Sequence, residues 1–335
     1  MTRRNTTLRY PVAAGMSVGR CIISGMSRYV IRGPLTYELA LKDSPIRQFF
    51  DDRLSAGLKD AQAAYRAAAG PILIPGVPRE AADAGTIGTA ADWMMRFLVH
   101  PNPSLRLAAQ GASLCGMMPG LKELAVLLGF RDGGVEEFTG PARGSGAEPD
   151  LLYRACWGLA LLTEVYRRGP DIAAIGPIGR LPDGSARSLL DAAPDAGLTQ
   201  LAALRGVMES ALLPAIASRQ GLWALGPVFA GSQIMPGDAD LVAGGLLTEL
   251  KTTTKKPSLG VTDLWQILGY VFMDYVDGFA VTDVALFSAR YGYLAQWNLD
   301  VLLPLLAGRP VTAAALRAEF QALLEACRGD GEQSR

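Results

Sequence analysis

The chain has 335 residues, of which 50% are hydrophobic and 19% are charged, and this composition excludes a mainly disordered protein. Lys and Arg number 32 and Asp and Glu also number 32, which argues against a protein whose whole surface is basic but leaves room for a local basic patch. No run of about 18 apolar residues occurs, so no transmembrane helix and no membrane association are expected.

The first predicted segment, residues 1–35, is rich in arginine. We interpret it as a solvated terminus, with an arm that contacts a nucleic-acid backbone as the alternative. It contains no apolar stretch followed by a cleavage site, so a cytoplasmic location is expected. The four cysteines lack the paired spacing of zinc or iron–sulfur sites, which predicts buried free thiols instead: Cys21, Cys115, Cys156 and Cys327.

A mainly helical region is predicted over residues 36–197, with a long helix at about 149–168 between loops at 131–150 and 169–197. A helix at about 198–219 opens the predicted core, residues 198–328. The remaining core elements are strands at about 222–230, 239–243, 246–251, 279–289 and 292–298, then helices at about 299–307 and 311–327. Residues 329–335 are expected to form a flexible tail.

A hairpin is predicted inside this core, where two apolar runs flank Gly244-Gly245. Asp240 precedes the first run, and the second run carries Glu249 and Lys251. Because a strand alternates its faces with a period of two, Glu249 and Lys251 project from the same side. The hairpin also brings Asp240 close to Glu249, so two carboxylates and an ammonium are expected to converge.

Such a cluster has a recognisable chemistry. Two carboxylates with open coordination positions suit Mg²⁺, which prefers oxygen ligands and keeps several waters. A lysine beside the metal can position a water or stabilise charge on a phosphate, as metal-assisted phosphodiester hydrolysis requires. The alternative is an exposed hairpin edge with protective charges. Lysine usage argues against it, since half of the six lysines fall within six residues of the site: Lys42, Lys59, Lys122, Lys251, Lys255 and Lys256.

The next predicted element is a helix over residues 261–275, capped by Thr262 or Asp263, on which Gln266 and Tyr270 share one face. Three motifs therefore follow one another in order: Gly237-x-x-Asp240, Glu249-x-Lys251 and Gln266-x-x-x-Tyr270. This ordered set resembles the PD-(D/E)XK nuclease superfamily, specifically its RecB-type branch.

The resemblance implies an α/β fold with a restriction-endonuclease-like mixed-sheet core flanked by helices. It also implies a metal-dependent nuclease that acts on DNA, in which Asp240 and Glu249 hold Mg²⁺ or Mn²⁺ and Lys251 is the catalytic lysine. Defence and DNA repair are settings suggested by analogy alone. The residues expected to support the site or the nucleic acid are Gln266, Tyr270, Lys255, Lys256 and Arg290.

Several alternatives stay open on the sequence. The chain can be a catalytically inactive nuclease-fold scaffold or interaction module in a larger complex, and a protein partner or homo-oligomer is compatible with either function. The sequence distinguishes neither DNA from RNA nor an endonuclease from an exonuclease.

Individual residues also have competing interpretations. Asp238 is the alternative to Asp240 as the first metal-binding aspartate. Gly88-x-x-x-Asp92 resembles the Gly-x-x-x-His element of the family, with Asp92 replacing histidine as a third metal ligand. Its alternative is a solvated aspartate early in a helix, and Glu209 is another candidate for the same role. His100 is the only histidine, which excludes a zinc site of several histidines.

Overall fold

A six-stranded mixed sheet lies at the centre of the protein, as seen in a computed structural model that describes residues 29–130, 134–140, 144–255 and 259–328. The strands follow their chain order across the sheet. Their bounds are β1 Glu137–Thr139, β2 Leu222–Leu225, β3 Leu241–Ala243, β4 Leu246–Lys251, β5 Asp283–Ser288 and β6 Tyr293–Asn298. The α/β class and the mixed sheet flanked by helices are confirmed.

Fourteen α-helices surround the sheet within the described ranges. The first nine are α1 Leu35–Ala40, α2 Pro45–Leu54, α3 Leu58–Ala68, α4 Ala84–Val99, α5 Arg106–Leu114, α6 Met118–Leu127, α7 Pro149–Arg168, α8 Asp171–Ile175 and α9 Ala186–Asp191. The others are α10 Asp195–Val207, α11 Leu213–Ile216, α12 Val261–Met273, α13 Leu299–Ala307 and α14 Ala313–Ala326. In these ranges no helix is both long and apolar enough to cross a membrane.

The sheet separates two hydrophobic cores. Helices α4 to α7, α9 and α10 pack on one face, against residues such as Trp223 and Leu246. Helices α1 to α3 pack with α12 to α14 on the other face, against residues such as Val242 and Leu247. Leu246 and Leu247 belong to opposite cores because successive strand residues point to opposite faces. Glu249 shares the parity of Leu247 and therefore faces α12.

The predicted hairpin is formed by β3 and β4, which are antiparallel and pair Leu241 with Thr248. Gly244 and Gly245 have φ angles of 51° and 80°, as the two central positions of a primed turn require. A Cβ on Gly244 would lie 2.3 Å from the carbonyl oxygen of Gln220, so only glycine fits there.

Strands β4 and β5 are parallel, with Glu249 opposite Leu286. Parallel neighbours need a crossover connection, and α12 provides it. Its N-cap is Gly260, with no side-chain cap, so the prediction that Thr262 or Asp263 caps this helix is wrong. Asp263 instead lies 3.7 Å from the ammonium of Lys251.

Other differences from the predicted elements have local causes. Residues 131–150 were expected to be a loop, but β1 lies within them and pairs with β2. Strand β2 ends at Leu225 because Gly226 has a φ of 63° and a proline follows it. The loop predicted over 169–197 contains the short helices α8 and α9.

Some predictions fall on residues outside the described ranges. They concern Lys256, residues 1–28 of the basic segment, and the tail 329–335. The cysteines that can be described, Cys115, Cys156 and Cys327, are free thiols, and the last two are buried.

Candidate active site

Asp240 and Glu249 meet across the β3–β4 hairpin. Asp240 comes just before β3, and its Oδ2 accepts a 2.7 Å hydrogen bond from the backbone N–H of Leu250. The side chain of Asp240 is thereby fixed to the strand that carries Glu249 and Lys251. The expected convergence of Asp240 with Glu249 and Lys251 is therefore present in the fold.

A hydrogen-bond network joins this pair of strands to α12. Lys251 Nζ donates to Glu249 Oε1 at 3.1 Å and to Gln266 Oε1 at 2.9 Å. Gln266 Nε2 donates to the same Glu249 oxygen at 2.7 Å and to the Tyr270 hydroxyl at 2.8 Å. Residues of two motifs that are 15 or more positions apart thus form one connected unit.

The network leaves one carboxylate oxygen without a partner. Oε2 of Glu249 is buried and accepts no hydrogen bond, although Oε1 accepts two. An unpaired buried carboxylate oxygen is costly unless a ligand completes it. A hard divalent cation, held by Glu249 and Asp240, would supply the missing partner.

The electrostatics of the cluster favour such a cation. Desolvation raises the pKa of Asp240 well above its usual value, and the carboxylates of Glu249 and Asp92 raise it further. Desolvation also raises the pKa of Glu249, although Lys251 opposes that shift. Burial lowers the pKa of Lys251, but Glu249, Asp263 and Asp240 outweigh it, so the net shift is upward. Lys251 is therefore an ammonium, and the carboxylates repel one another.

These side chains line the wall of a cleft of about 1070 Å³. Its other walls come from the first half of α4, the end of α7, the start of α1 and residues 252–255 after β4. Tyr166 and Arg167 of α7 line the cleft and are exposed, which places an aromatic ring and a cation beside the carboxylates.

Asp92 also lines the cleft, where α4 approaches the hairpin. Its carboxylate is paired with Arg96, which donates to both of its oxygens. Across the described ranges, no group of three or more His, Cys, Asp and Glu side chains is arranged to hold a metal ion. Asp92 therefore lines the same cleft as Asp240 and Glu249, but its charge is already balanced by Arg96.

Asp238 and Glu209, the alternatives considered for the carboxylates, have partners elsewhere. Asp238 lines the cleft and lies 3.5 Å from Arg167, so it belongs to the mouth of the site. Glu209 lies in the π-helical segment after α10, pairs with Arg205 at 2.8 Å and does not line the cleft.

The predicted phosphate contacts have two different environments. Lys255 is exposed and lines the cleft. Arg290 also lines it, but only 2% of the residue is exposed. Its guanidinium donates to the carbonyl oxygens of Thr252, Ile74 and Pro75 and to the side chain of Gln200. Arg290 therefore anchors the backbone around the cleft, a role that could not be predicted from the sequence because the partners come from distant segments.

Sequence reasoning missed other contributors to the site. Arg96 could have been predicted as the partner of Asp92, because Asp92-x-x-x-Arg96 is an i, i+4 ion-pair spacing on a predicted helix. Tyr166 and Arg167 carried no such signal, since the end of α7 reaches the cleft only through tertiary packing. His100 is the C-cap of α4 and packs against Phe138.

No protein-family model, no curated protein and no solved structure matches this chain. Function is therefore inferred from the chemistry of the cleft. The cleft combines Glu249 on β4 with Asp240 just before β3, an ammonium hydrogen-bonded to Glu249 and an oriented amide. Such a set is suited to binding a divalent cation next to a phosphate.

Proposed function

We propose that this protein is a metal-dependent nuclease that hydrolyses DNA phosphodiester bonds. The observation that carries the proposal is the buried, unpaired Oε2 of Glu249, beside Asp240 and Lys251 on the wall of a large cleft. A carboxylate kept in this state is explained by a ligand that the polypeptide itself does not provide.

The arrangement of the core supports membership of the PD-(D/E)XK superfamily, with a restriction-endonuclease-like fold. The antiparallel β3–β4 hairpin holds the acidic residues and the lysine. Gln266 and Tyr270 lie on α12, the crossover helix that connects β4 to the parallel strand β5. The three motifs thus lie on consecutive elements of one unit. Their order in the chain and their contacts in space agree.

Asp240 and Glu249 would hold Mg²⁺ or Mn²⁺. The bound ion would neutralise the phosphate and lower the pKa of a coordinated water. Gln266 and Lys251 fix Oε1 of Glu249, so Oε2 is the oxygen left for coordination. Lys251 keeps its proton on Nζ because three carboxylates favour the charged form, so it stabilises negative charge at the phosphate.

The exposed side chains at the mouth of the cleft support nucleic acid as the substrate. Tyr166 offers an aromatic surface on which a base can stack, and Arg167 and Lys255 offer positive charge for phosphates. A zero net charge is compatible with this role, because the basic residues are placed locally beside the acidic cluster.

A cleavage assay tests the proposal. Single-stranded, linear duplex and circular DNA are incubated with Mg²⁺, Mn²⁺ or EDTA, using the wild type and Lys251→Ala. Lys122→Ala serves as the matched control, because Lys122 is an exposed lysine on α6 that does not line the cleft. We expect metal-dependent cleavage that Lys251→Ala abolishes and Lys122→Ala retains.

Cleavage of circular DNA would identify an endonuclease, and cleavage of linear DNA alone an exonuclease. Equal cleavage by the wild type and Lys251→Ala would contradict the proposed role of the lysine. Absence of cleavage under every condition would favour the alternative, a nuclease-fold scaffold without catalytic activity.

A further inference from the structure

Asp92 and Arg96 form a buried ion pair one turn apart on α4. Arg96 Nε lies 3.0 Å from Oδ1 and 3.1 Å from Oδ2 of Asp92, and a terminal nitrogen lies 2.9 Å from Oδ2. The side chains are 4% and 11% exposed for Arg96 and Asp92. Both carboxylate oxygens are therefore engaged by one guanidinium in a place shielded from water.

The surrounding fold reserves space for this guanidinium. Gly226 follows β2 with a φ of 63°, and a Cβ at that position would lie 2.2 Å from a terminal nitrogen of Arg96. The guanidinium carbon of Arg96 also lies 5.2 Å from the centre of the Trp93 ring. The guanidinium of Arg96 is therefore held between the backbone at Gly226 and the ring of Trp93.

The ion pair is electrostatically connected to the proposed metal site. The charge of Asp92 raises the pKa of both Asp240 and Glu249. In turn, Asp92 and Asp240 raise the pKa of Arg96 against the opposing effect of burial. Asp92 also lines the same cleft as Asp240 and Glu249, so a third carboxylate lies near the pair that would bind a cation, and Arg96 balances its charge.

We propose that Arg96 withholds Asp92 from metal coordination, so that the site takes a single divalent cation on Asp240 and Glu249. The inference rests on the proposed function, because it concerns the metal of that same site. Arg96 acts as a positioning residue through Asp92 and contacts neither metal nor substrate. Since arginine does not lose its proton in proteins, its charge is permanent.

The number of carboxylate oxygens that are free to coordinate limits how many metal ions the site can bind. Sites with two metals hold both ions a few ångströms apart and share carboxylates between them. Here the third carboxylate already has a cation, and a second metal would have to compete with a buried guanidinium in bidentate contact. The positive charge of Arg96 thus substitutes for the charge that a second metal ion would otherwise bring.

Manganese titration of the full-length protein tests this inference by calorimetry, with electron paramagnetic resonance of free Mn²⁺ as a second readout. We expect one ion per chain for the wild type. Arg96→Gln releases Asp92 as an additional ligand, and we expect Mn²⁺ affinity to rise roughly tenfold. The double variant Asp92→Asn/Arg96→Gln keeps the local net charge, and its affinity should stay within about threefold of wild type.

Arg205→Gln is the matched control, because Arg205 also pairs with a carboxylate one helical turn away, that of Glu209, but does not line the cleft. It should leave Mn²⁺ binding unchanged. Two ions on the wild type, or a loss of tenfold or more in the double variant, would overturn the inference, since Asp92 would then be a ligand.

The design separates this inference from the proposed function. A wild type that binds no Mn²⁺ at all removes the metal-dependent nuclease and the inference together, whereas two-ion binding removes the inference alone. If Arg96→Gln fails to fold because Asp92 is left buried without a partner, the wild type and the double variant still decide the outcome.

Discussion

Gln266 and Glu249 are joined by a 2.7 Å hydrogen bond that determines which carboxylate oxygen remains for a ligand. The amide of Gln266 donates to Oε1 of Glu249 while its own oxygen accepts from Lys251. Gln266 therefore sets the orientation of the acid and the lysine at the same time. This double contact explains why a glutamine on a crossover helix matters to a site formed on strands.

Removal of this amide should impair the site without unfolding the protein. We expect Gln266→Ala to lower metal affinity and cleavage roughly 10- to 100-fold, because Glu249 loses the partner that orients it. Mn²⁺ titration and the cleavage assay measure the two effects. Gln321→Ala on α14 is the control, because Gln321 also donates a hydrogen bond to a glutamate side chain but does not line the cleft. Unchanged metal affinity in Gln266→Ala would contradict the orienting role.

Neutralisation of Asp240 should stabilise the metal-free protein. The pKa of Asp240 is raised in the folded state, so its ionisation costs stability as the pH rises from the unfolded pKa towards the folded pKa. Asp240→Asn keeps an acceptor for the Leu250 N–H and removes the charge. In EDTA at pH 7.5 we expect a gain on the order of 1 kcal/mol, or roughly 2 °C in Tm.

The gain from Asp240→Asn should shrink as the pH falls through and below about 4, the usual pKa of an aspartate, because the wild-type carboxyl then becomes protonated in the unfolded state as well as in the folded state. Thermal melting at several pH values measures it, and Asp171→Asn on the exposed start of α8 is the control. A lower Tm for Asp240→Asn in EDTA at neutral pH would show that Asp240 does not carry a destabilising charge.

A methyl group at Gly226 should destabilise the fold. Its Cβ would meet Arg96 at 2.2 Å, and the φ of 63° disfavours any side chain, so Gly226→Ala should cost about 2–4 kcal/mol. Urea unfolding measures the loss. The control is Gly206→Ala in α10, where a Cβ meets nothing within 4 Å, and a gain of about 0.5–1 kcal/mol is expected. Equal stabilities of the two variants would contradict the packing argument.

The exposed ring of Tyr166 should contribute to nucleic-acid binding. On a Lys251→Ala background, chosen because we expect it to abolish cleavage, Tyr166→Ala should weaken single-stranded DNA binding by about 1–3 kcal/mol if one base stacks on Tyr166. Fluorescence anisotropy with labelled oligonucleotides measures the change. Tyr37→Ala is the matched control, because Tyr37 is 48% exposed but does not line the cleft. Equal binding by both variants would remove Tyr166 from the interface.

The convergence at the centre of the site was predictable because it depends on short-range geometry. Strand alternation places Glu249 beside Lys251, a Gly-Gly turn returns the chain to Asp240, and helical spacing aligns Gln266 with Tyr270. Each of these relations spans few residues and follows from fixed backbone periods. The sequence could therefore assign these positions before the fold was known.

The surroundings of the site were less predictable because they depend on packing between distant segments. The approach of α4 to the hairpin places Asp92 near Asp240, and the sequence left Asp92 undecided between ligand and solvated residue. Arg290 was expected to face phosphate, yet its partners come from residues 74–75, from α10 and from Thr252 just after β4. Strand β1 is three residues long and is defined by its pairing with β2, so its own residues carried little signal.

The contacts of Arg290 also bear on how the cleft can move. Its guanidinium joins the carbonyls of Ile74, Pro75 and Thr252 to Gln200 of α10, and Tyr291 beside it donates to the carbonyl of Lys255. Separating the cleft walls at this end would break these bonds in an interior without replacement donors. We therefore expect the backbone beneath the carboxylates to act as a stationary base, so that a ligand enters the cleft through rearrangement of exposed side chains such as Tyr166 and Lys255.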